Sequence, residues 1–255
     1  MTFLEVRNLS KHFGGVKAVN GLSFDVHNGE ILGLIGPNGA GKTTVFNMIS
    51  GAFAPTSGEI IYKGRQIAGL KPHKIANMRV VRTFQQTSLF PGLTVLEHMT
   101  VAGRFQSGAS MLETVMNTRR ARLKSDTQTK NNIEILRRFG LSQFKEDMPS
   151  SLPYGHQKSL GIAMALASKP SLLLLDEPVA GMNPEETTKM MQTIQDIRNK
   201  GVTVLLVEHD MKMVMGICDR LVVINFGSKL TEGNPVEVRN NPEVIKAYLG
   251  SEKID

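Results

Sequence analysis

Short apolar segments recur along the chain, and each is followed by turn residues or by helix-forming sequence. Four of these segments are rich in Leu, Ile and Val and predict buried β-strands: 31–35, 172–176, 202–207 and 221–224. The sequence between them predicts three helices: about 42–50, 185–199 and 211–218. Strands that alternate with helices predict an α/β fold with a parallel sheet.

The first 64 residues follow a different pattern, in which short strands are separated by tight turns. The predicted strands lie at three places: Leu4–Leu9, Phe24–Val26 and Glu59–Tyr62. Asn28-Gly29 and Lys63-Gly64 are dipeptides typical of turns. These hairpin signals predict a small antiparallel sheet attached to the α/β core.

The segment from about 94 to 168 has few β-branched runs and many helix formers. Three helices are predicted there: 95–102, 111–123 and 129–139. We therefore expect a single domain over 1–255. Its core and β subdomain would cover about 1–93 and 169–255, with a helical subdomain inserted at about 94–168.

Composition narrows the function classes only slightly. The net charge of +7, from 30 basic and 23 acidic residues, is compatible with nucleotides, nucleic acid or an anionic membrane surface. The basic cluster at 119–124 contains no aromatic residue and favours a solvated helix face over a base-stacking surface.

Cys218 is the single cysteine, which excludes an intramolecular disulfide and predicts a packed side chain. No apolar run reaches the length of about 18 residues that spans a bilayer, and no secretory signal is expected.

The strongest chemical motif follows the predicted strand 31–35. Residues 36–43 read Gly-Pro-Asn-Gly-Ala-Gly-Lys-Thr, which matches the phosphate-binding loop pattern, with a helix predicted directly after it. Glycines let successive backbone N–H groups point at phosphate oxygens, and the helix N-terminus adds positive potential. Lys42 is expected to contact the β- and γ-phosphates, and Thr43 to ligate Mg²⁺. The nucleotide-binding residues predicted here are Gly36, Asn38, Gly39, Ala40, Gly41, Lys42, Thr43 and Thr44.

A second motif ends the predicted strand 172–176. Four leucines are followed by Asp176 and Glu177, so a buried strand would deliver two acids beside the phosphate loop. Asp176 is expected to hold Mg²⁺, directly or through water, and Glu177 to orient a water for attack on the γ-phosphate. Together the two motifs predict a P-loop NTPase.

Further motifs occur in the order found in ATP-binding-cassette (ABC) proteins, and the whole chain resembles that family. Residues 152–157, Leu-Pro-Tyr-Gly-His-Gln, resemble its signature motif, and residues 179–184 lie where its D-loop belongs. Gln85 resembles the Q-loop glutamine, His209 the switch histidine and Phe13 the aromatic residue that stacks on adenine. The resemblance implies a RecA-like P-loop core that hydrolyses ATP with Mg²⁺.

The resemblance also implies roles for these residues. Gln85 would contact Mg²⁺ or the attacking water, and His209 would bind the γ-phosphate and help to position Glu177. In this family the signature helix of one subunit faces the nucleotide of another. Tyr154, Gly155 and His156, with free N–H groups at a helix start, would therefore contact the partner's ATP.

Three other segments are similar to the branched-chain amino-acid importer branch of the family: 80–85, 208–211 and 241–250. This resemblance implies transmembrane permease subunits, a second cassette that is identical or different, a solute-binding protein, and a place on the cytoplasmic face of the membrane. No nucleic-acid partner is expected. The alternatives are an importer for another solute, such as urea or other amides, and a soluble cassette acting on nucleic acid or ribosomes. A nucleotide-binding regulatory module is disfavoured, because it would not need Glu177.

Three residues depart from the family's usual motifs. Pro153 replaces the usual serine of the signature, His156 replaces its glutamine, and Asn183 replaces an aspartate in the D-loop. Proline is well tolerated in the first turn of a helix, where a missing N–H costs little.

Overall fold

The computed structural model describes residues 2–83, 89–104 and 119–249. The strands are β1 (Thr2–Phe13), β2 (Val16–His27), β3 (Ile31–Ile35), β4 (Ser57–Tyr62), β5 (Arg65–Gln66), β6 (Val80–Arg82), β7 (Leu172–Asp176), β8 (Thr203–Val207), β9 (Arg220–Asn225) and β10 (Ser228–Gly233). The helices are α1 (Lys42–Ile49), α2 (Pro72–Asn77), α3 (Val95–Arg104), α4 (Arg119–Arg138), α5 (Tyr154–Ala167), α6 (Pro184–Asn199), α7 (Met211–Ile217), α8 (Pro235–Arg239) and α9 (Pro242–Leu249).

The larger sheet has the strand order β10-β9-β3-β8-β7-β6. Its five strands from β9 to β6 are parallel, and β10 pairs antiparallel with β9. Every residue of β3, β7 and β8 is buried, as expected for strands that are covered on both faces. The predicted parallel sheet and α/β fold are confirmed.

Side chains alternate between two hydrophobic clusters, one on each face of this sheet. On β7, Leu172 and Leu174 join the cluster that contains α1 and the smaller sheet, whereas Leu173 and Leu175 join the cluster with α5, α6 and α7. The period of two that strands impose on their side chains therefore builds a three-layer core from a continuous leucine run.

The smaller sheet is antiparallel, with strand order β2-β1-β4-β5, which confirms the predicted sheet. Lys63-Gly64 joins the paired strands β4 and β5 as predicted, whereas Asn28-Gly29 leads from β2 into β3 of the larger sheet and closes no hairpin. β1 and β2 are longer than the apolar segments at 4–9 and 24–26 indicated. Their pairing contains several register shifts, and bulges of this kind let a strand continue through polar residues and glycines.

Helices α3, α4 and α5 pack around a third cluster of apolar side chains: Val95, Met99, Leu136, Leu141, Leu152, Leu160, Ala163 and Ala167. Of the two helices predicted at 111–123 and 129–139, residues 111–118 lie outside the described residues. From residue 119 onwards one helix runs to 138, so the predicted break between the two was wrong. The residues in the expected break are weak helix formers: Ser125, Asp126 and Thr127. Each destabilises a helix by less than about 0.7 kcal/mol relative to alanine, which is less than the free-energy cost of nucleating a new helix. The subdomain boundaries near 93 and 168 stay predictions.

Arg220 joins the two sheets at the edge that carries the amino end of β3. Its guanidinium donates to Glu30 Oε1 at 2.9 Å and to the Asp25 carbonyl at 2.7 Å, and it forms an ion pair with Glu232. These partners lie on β2, on β10 and just before β3, so one partly buried cation fixes how the sheets meet. Pairing with these groups offsets the cost of removing part of the guanidinium from water.

The junction of β1 and β4 can be tested by a substitution at Gly58. This glycine has a φ of +92°, and a Cβ atom there would lie 2.4 Å from the Asn8 carbonyl oxygen. Gly58→Ala should lower the free energy of unfolding by about 2–4 kcal/mol through backbone strain and overpacking, as measured by urea denaturation. Gly15→Ala, where a Cβ meets nothing within 4 Å, should change it by less than about 0.5 kcal/mol. Equal effects would contradict the described junction.

Candidate nucleotide and catalytic site

The carboxyl ends of β3, β6, β7 and β8 meet at one edge of the larger sheet, because these four strands are parallel neighbours. Hydrogen bonds continue across this edge beyond the strands. The Glu177 N–H donates to the Val207 carbonyl at 2.9 Å, and the Thr83 N–H donates to the Leu174 carbonyl at 3.0 Å. Chemical motifs that are far apart in sequence therefore begin next to one another at this hydrogen-bonded edge of the sheet.

The loop at 36–41 follows β3 and depends on two glycines. Gly36 has a φ of +152° and Gly41 a φ of +103°. A Cβ atom would lie 2.0 Å from the Ile224 carbonyl oxygen at Gly36, and 2.4 Å from the Ala18 carbonyl oxygen at Gly41. Only glycine fits both the backbone angles and these close approaches. The predicted loop is confirmed as a strand–loop–helix unit.

The first turn of α1 presents its N–H groups without a side-chain cap. Gly41 is the N-cap residue, no side chain caps the helix, and the first turn contains no acidic residue. The first intrahelical bond runs from the Val45 N–H to the Gly41 carbonyl at 3.0 Å. The N–H groups of Lys42, Thr43 and Thr44 precede it, as expected at a helix N-terminus. Such an end attracts anions.

The remaining loop residues differ in how they face solvent. Asn38, Gly39 and Thr43 are exposed, whereas Ala40 is buried. The Ala40 carbonyl accepts the Gly227 N–H at 3.0 Å, which ties the loop to the hairpin between β9 and β10. The exposed side of the loop is therefore the side available to a ligand.

Lys42 is buried within the curve of the loop. Its Nζ donates to the carbonyl oxygens of Gly36 at 2.7 Å and of Pro37 at 2.9 Å. Burial lowers the pKa of this ammonium below its ordinary value, and the charges of Glu177 and Asp176 oppose that shift. A cation, two carboxylates and the uncapped helix end are thus held close together.

Asp176 ends β7 and is fixed by an arginine that the sequence motifs did not single out. Arg82 Nη2 lies 2.7 Å from Asp176 Oδ2, and the two side chains are only 7% and 2% exposed. The guanidinium also donates to Asn47 Oδ1 of α1 at 2.5 Å and lies over the Phe46 ring. Arg82 therefore links the acid to the helix that follows the phosphate loop. The one sequence feature that could have indicated this role of Arg82 is its position, as a charged residue at the end of an apolar strand.

Glu177 and His209 come together across the ends of β7 and β8. His209 Nε2 lies 2.9 Å from Glu177 Oε1, and both side chains reach solvent. Glu177 has a φ of +49°, a strained conformation for a residue with a Cβ atom. Strain of this kind costs about 1–3 kcal/mol and is concentrated at functional sites. The predicted pairing of these two residues is present.

Glu208, the first residue of the segment 208–211, lies at the centre of this arrangement. Its Oε1 accepts the Val179 N–H at 2.9 Å, and its Oε2 accepts the N–H groups of His209 at 2.9 Å and Asp210 at 3.4 Å. Burial raises the pKa of the Glu208 carboxyl, the three N–H groups oppose the rise, and the nearby charge of Glu177 adds to it.

The segment that resembles the signature motif opens α5, but one expectation about it was wrong. Pro153 is the N-cap residue rather than a first-turn residue, and no side chain caps this helix. The His156 N–H is not free, because it donates to the Pro153 carbonyl at 2.9 Å. The His156 ring packs edge-on against Phe144, 5.2 Å away. Only Tyr154 and Gly155 therefore retain N–H groups ahead of the first intrahelical bond.

Contacts within the chain connect this segment to the loop at 179–184. A Cβ atom at Gly155 would lie 2.9 Å from Glu186 Oε1, and one at Gly181 would lie 2.9 Å from the Tyr154 ring. Asn183 accepts the N–H groups of Glu185 and Glu186, and Glu186 accepts the Asn183 N–H, which forms a capping box for α6. Asparagine and aspartate both cap well, so the departure at Asn183 preserves this structural role.

Phe13 and Gln85 are the two remaining predicted site residues. Phe13 ends β1, is 48% exposed and packs edge-on against Phe53, with the Lys11 ammonium 5.2 Å from the Phe13 ring centroid. Its ring is accessible, and its stacking on adenine stays a prediction. Gln85 lies outside the described residues. Cys218 is buried, and burial raises the pKa of its thiol, consistent with a packed side chain.

Comparisons with known proteins extend over nearly the whole chain. A family model described as "ABC transporter" matches residues 19–180, and one described as "Branched-chain amino acid ATP-binding cassette transporter" matches residues 228–254. The protein named high-affinity branched-chain amino acid transport ATP-binding protein LivG, from Salmonella typhimurium, is 45% identical over 97% of each chain. BraF of Pseudomonas aeruginosa, with the same descriptive name, is 44% identical over 97% of each chain.

A solved structure shows the same fold. The ADP conformation of MJ1267, an ATP-binding cassette of an ABC transporter, matches with a TM-score of 0.83 and 29% identity over 98% of this chain and 99% of that chain. The family model spans both the phosphate loop and the acidic end of β7. The chain therefore belongs to the ABC transporter family, in which it is an ATP-binding and ATP-hydrolysing protein.

Proposed function

We propose that the chain is the ATP-hydrolysing subunit of an importer for branched-chain amino acids. The observation that carries the catalytic part is the contact of 2.9 Å between Glu177 and His209, at the same sheet edge as the phosphate loop. The amino-acid part is supported by the names of LivG and BraF and by the family model matched at 228–254. A soluble cassette acting on nucleic acid or ribosomes has no comparable support.

ATP would bind with its phosphates over the exposed side of the loop. The N–H groups of the loop and of the first turn of α1 would donate to the phosphate oxygens. Lys42 would exchange its two carbonyl partners for the β- and γ-phosphates. Phe13 would supply an aromatic face for adenine. Loop glycines and an uncapped helix end favour phosphate binding, whereas neither feature stabilises the fold.

The oxygen ligands at the site fit Mg²⁺. Among the described residues, no group of three or more His, Cys, Asp or Glu side chains is arranged to hold a metal ion. Mg²⁺ usually takes one or two protein carboxylates and completes its shell with water and substrate phosphates. Thr43 and Asp176, together with Gln85, would provide such a partial set. The ion would neutralise charge on the β- and γ-phosphate oxygens.

Hydrolysis needs a water held in line with the bond that breaks. Glu177 would accept a hydrogen bond from this water and orient it towards the γ-phosphorus. The water oxygen bonds to phosphorus while the bond to the β–γ bridging oxygen breaks, which leaves ADP and phosphate. His209 would hold Glu177 through Oε1 and contact the γ-phosphate as negative charge redistributes.

A second cassette is needed to complete the site. The N-terminus of α5, with the N–H groups of Tyr154 and Gly155, would face the γ-phosphate on a partner subunit. The same end of the partner would cover the ATP of this chain. Gly155 packs against Glu186 within its own chain, so its smallness serves the local fold as well as any approach of phosphate.

Permease subunits would connect this ATPase to the membrane. None of the helices in the described ranges has the length and apolarity of a membrane span. Attachment to the cytoplasmic face would therefore pass through transmembrane partners, which would dock near Gln85 and the helical region after it. An external binding protein would deliver the amino acid to those subunits.

The role of Glu177 is tested by replacing its carboxylate with an amide. Glu177→Gln should bind Mg-ATP but hydrolyse it about 10²- to 10⁴-fold more slowly, because a neutral amide oxygen orients the water more weakly than a carboxylate and cannot take up its proton. With ATP the variant should accumulate as a dimer or heterodimer in size-exclusion chromatography. Glu185→Gln, which changes an exposed carboxylate on the first turn of α6, should keep wild-type turnover. Wild-type turnover in Glu177→Gln would overturn the assignment.

The importer function is tested by reconstitution with the permease subunits in lipid vesicles. The isolated chain should hydrolyse ATP slowly, because the site is completed only when two cassettes close. Addition of permeases and a binding protein loaded with leucine, isoleucine or valine should raise the rate at constant cassette concentration. A binding protein without amino acid is the control. If the loaded protein gives no increase over this control, the proposed cargo or its coupling is wrong.

A further inference from the structure

Glu208 is a buried carboxylate that the hydrolysis scheme above does not use. It follows β8, is 3% exposed and forms no ion pair within the described parts of the chain. A carboxylate removed from water is costly unless hydrogen bonds compensate for the lost hydration. Its presence at the sheet edge beside Glu177 therefore requires a compensating interaction.

Three backbone N–H groups provide that compensation, and they come from two different loops. Oε1 accepts from Val179, in the loop that follows Glu177, at 2.9 Å. Oε2 accepts from His209 at 2.9 Å and from Asp210 at 3.4 Å. Asp210 in turn caps α7, since its Oδ1 accepts the Met213 N–H at 2.9 Å. One side chain thus bridges the loops after β7 and β8.

These bonds form a closed ring with the catalytic pair. Val179 is two residues from Glu177, Glu208 adjoins His209, and Glu177 meets His209 at 2.9 Å. If one loop shifted relative to the other, the Glu177–His209 contact would change and at least one of the Glu208 hydrogen bonds would break. The strained φ of Glu177 persists only if its surroundings hold the residue in place, and the Glu208 bridge is one such restraint.

We propose that Glu208 is a positioning residue, which holds the Glu177 loop and His209 in register so that the catalytic pair is preformed. This inference rests on the proposed function. Glu208 itself touches neither nucleotide nor water in this scheme. An ionised carboxylate suits the role because it only accepts hydrogen bonds. An amide of the same shape would direct N–H groups at one of the two loops.

The test compares Glu208→Gln and Glu208→Asp with wild type in the full-length protein. Glutamine keeps the length but loses one acceptor, and aspartate keeps the charge but is one methylene too short to bridge both loops. Glu30→Gln is the control, because Glu30 is also a buried carboxylate that accepts a backbone N–H but lies at the opposite edge of the sheet. The quantities measured are kcat, KM, the Kd for Mg-ATP by calorimetry, and the unfolding midpoint.

Both Glu208 variants should lower kcat about 10- to 100-fold, the order of loss caused by misplacing a catalytic group. KM and the Kd for Mg-ATP should stay within about threefold of wild type, because the phosphate loop is unchanged. In the His209→Ala background, adding Glu208→Gln should lower kcat by less than about threefold, since the two residues act as a unit. Glu30→Gln should leave kcat at the wild-type value.

Four results would overturn the inference: a wild-type kcat in the Glu208 variants, a rise in KM alone, full additivity with His209→Ala, or failure of both variants to fold. In the last case Glu208 is needed only for folding. If Glu208→Gln alone fails to fold, Glu208→Asp provides the same comparison. A wild-type chain that neither binds nor hydrolyses Mg-ATP would instead contradict the proposed function itself.

Discussion

The parallel pairing of β3, β8, β7 and β6 is the constraint on which the site depends. It places the carboxyl ends of four strands at one edge, so that Asp176 ends a hydrogen-bonded strand and Gly36, Glu177 and Glu208 directly follow such strands. The strands are buried on both faces, and a shift of β7 by one residue would move Leu175 out to the polar edge or Asp176 into the apolar layers. Hydrophobic burial therefore sets the distances between polar groups as far apart in sequence as Gly36 and Glu208, which are 172 positions apart.

The same edge concentrates charged groups in water-poor surroundings, and each has a named partner. Asp176 is held by Arg82, Lys42 by two carbonyl oxygens, and Glu208 by three N–H groups. Leaving any of these polar groups unpaired would cost more than a typical hydrogen bond contributes. The network thus preorganises the site, and its members can exchange partners when phosphates arrive.

Local sequence patterns were enough to predict much of this arrangement. The glycine-rich loop, the leucine strand ending in two acids and the helices after them follow from periodicity and from residue chemistry. The closeness of Glu177 and His209 came from resemblance to a family, because nothing local relates residues 32 positions apart. The roles of Arg82 and Glu208 were missed, since a charged residue at a strand end becomes informative only when its partner in space is known.

Two errors have physical causes as well. A helix start at 154–156 suggested three free N–H groups, but the Pro153 carbonyl already accepts the His156 N–H. The helix predicted to break near residue 125 continues, because weak helix formers cost less than a second nucleation. In both cases the sequence pattern indicated the element correctly, whereas the backbone hydrogen bonds determined its limits.

Binding of the ATP phosphates by the loop at 36–43 can be measured by calorimetric titration of Lys42→Met with Mg-ATP. Methionine keeps the apolar stem but removes the ammonium. The loss of charged hydrogen bonds, worth about 1.5–3 kcal/mol each, should raise the Kd about 10- to 100-fold. Lys200→Met, at the opposite edge of the sheet, should leave the Kd unchanged. Equal Kd values for Lys42→Met and wild type would mean that the loop does not hold the phosphates through Lys42.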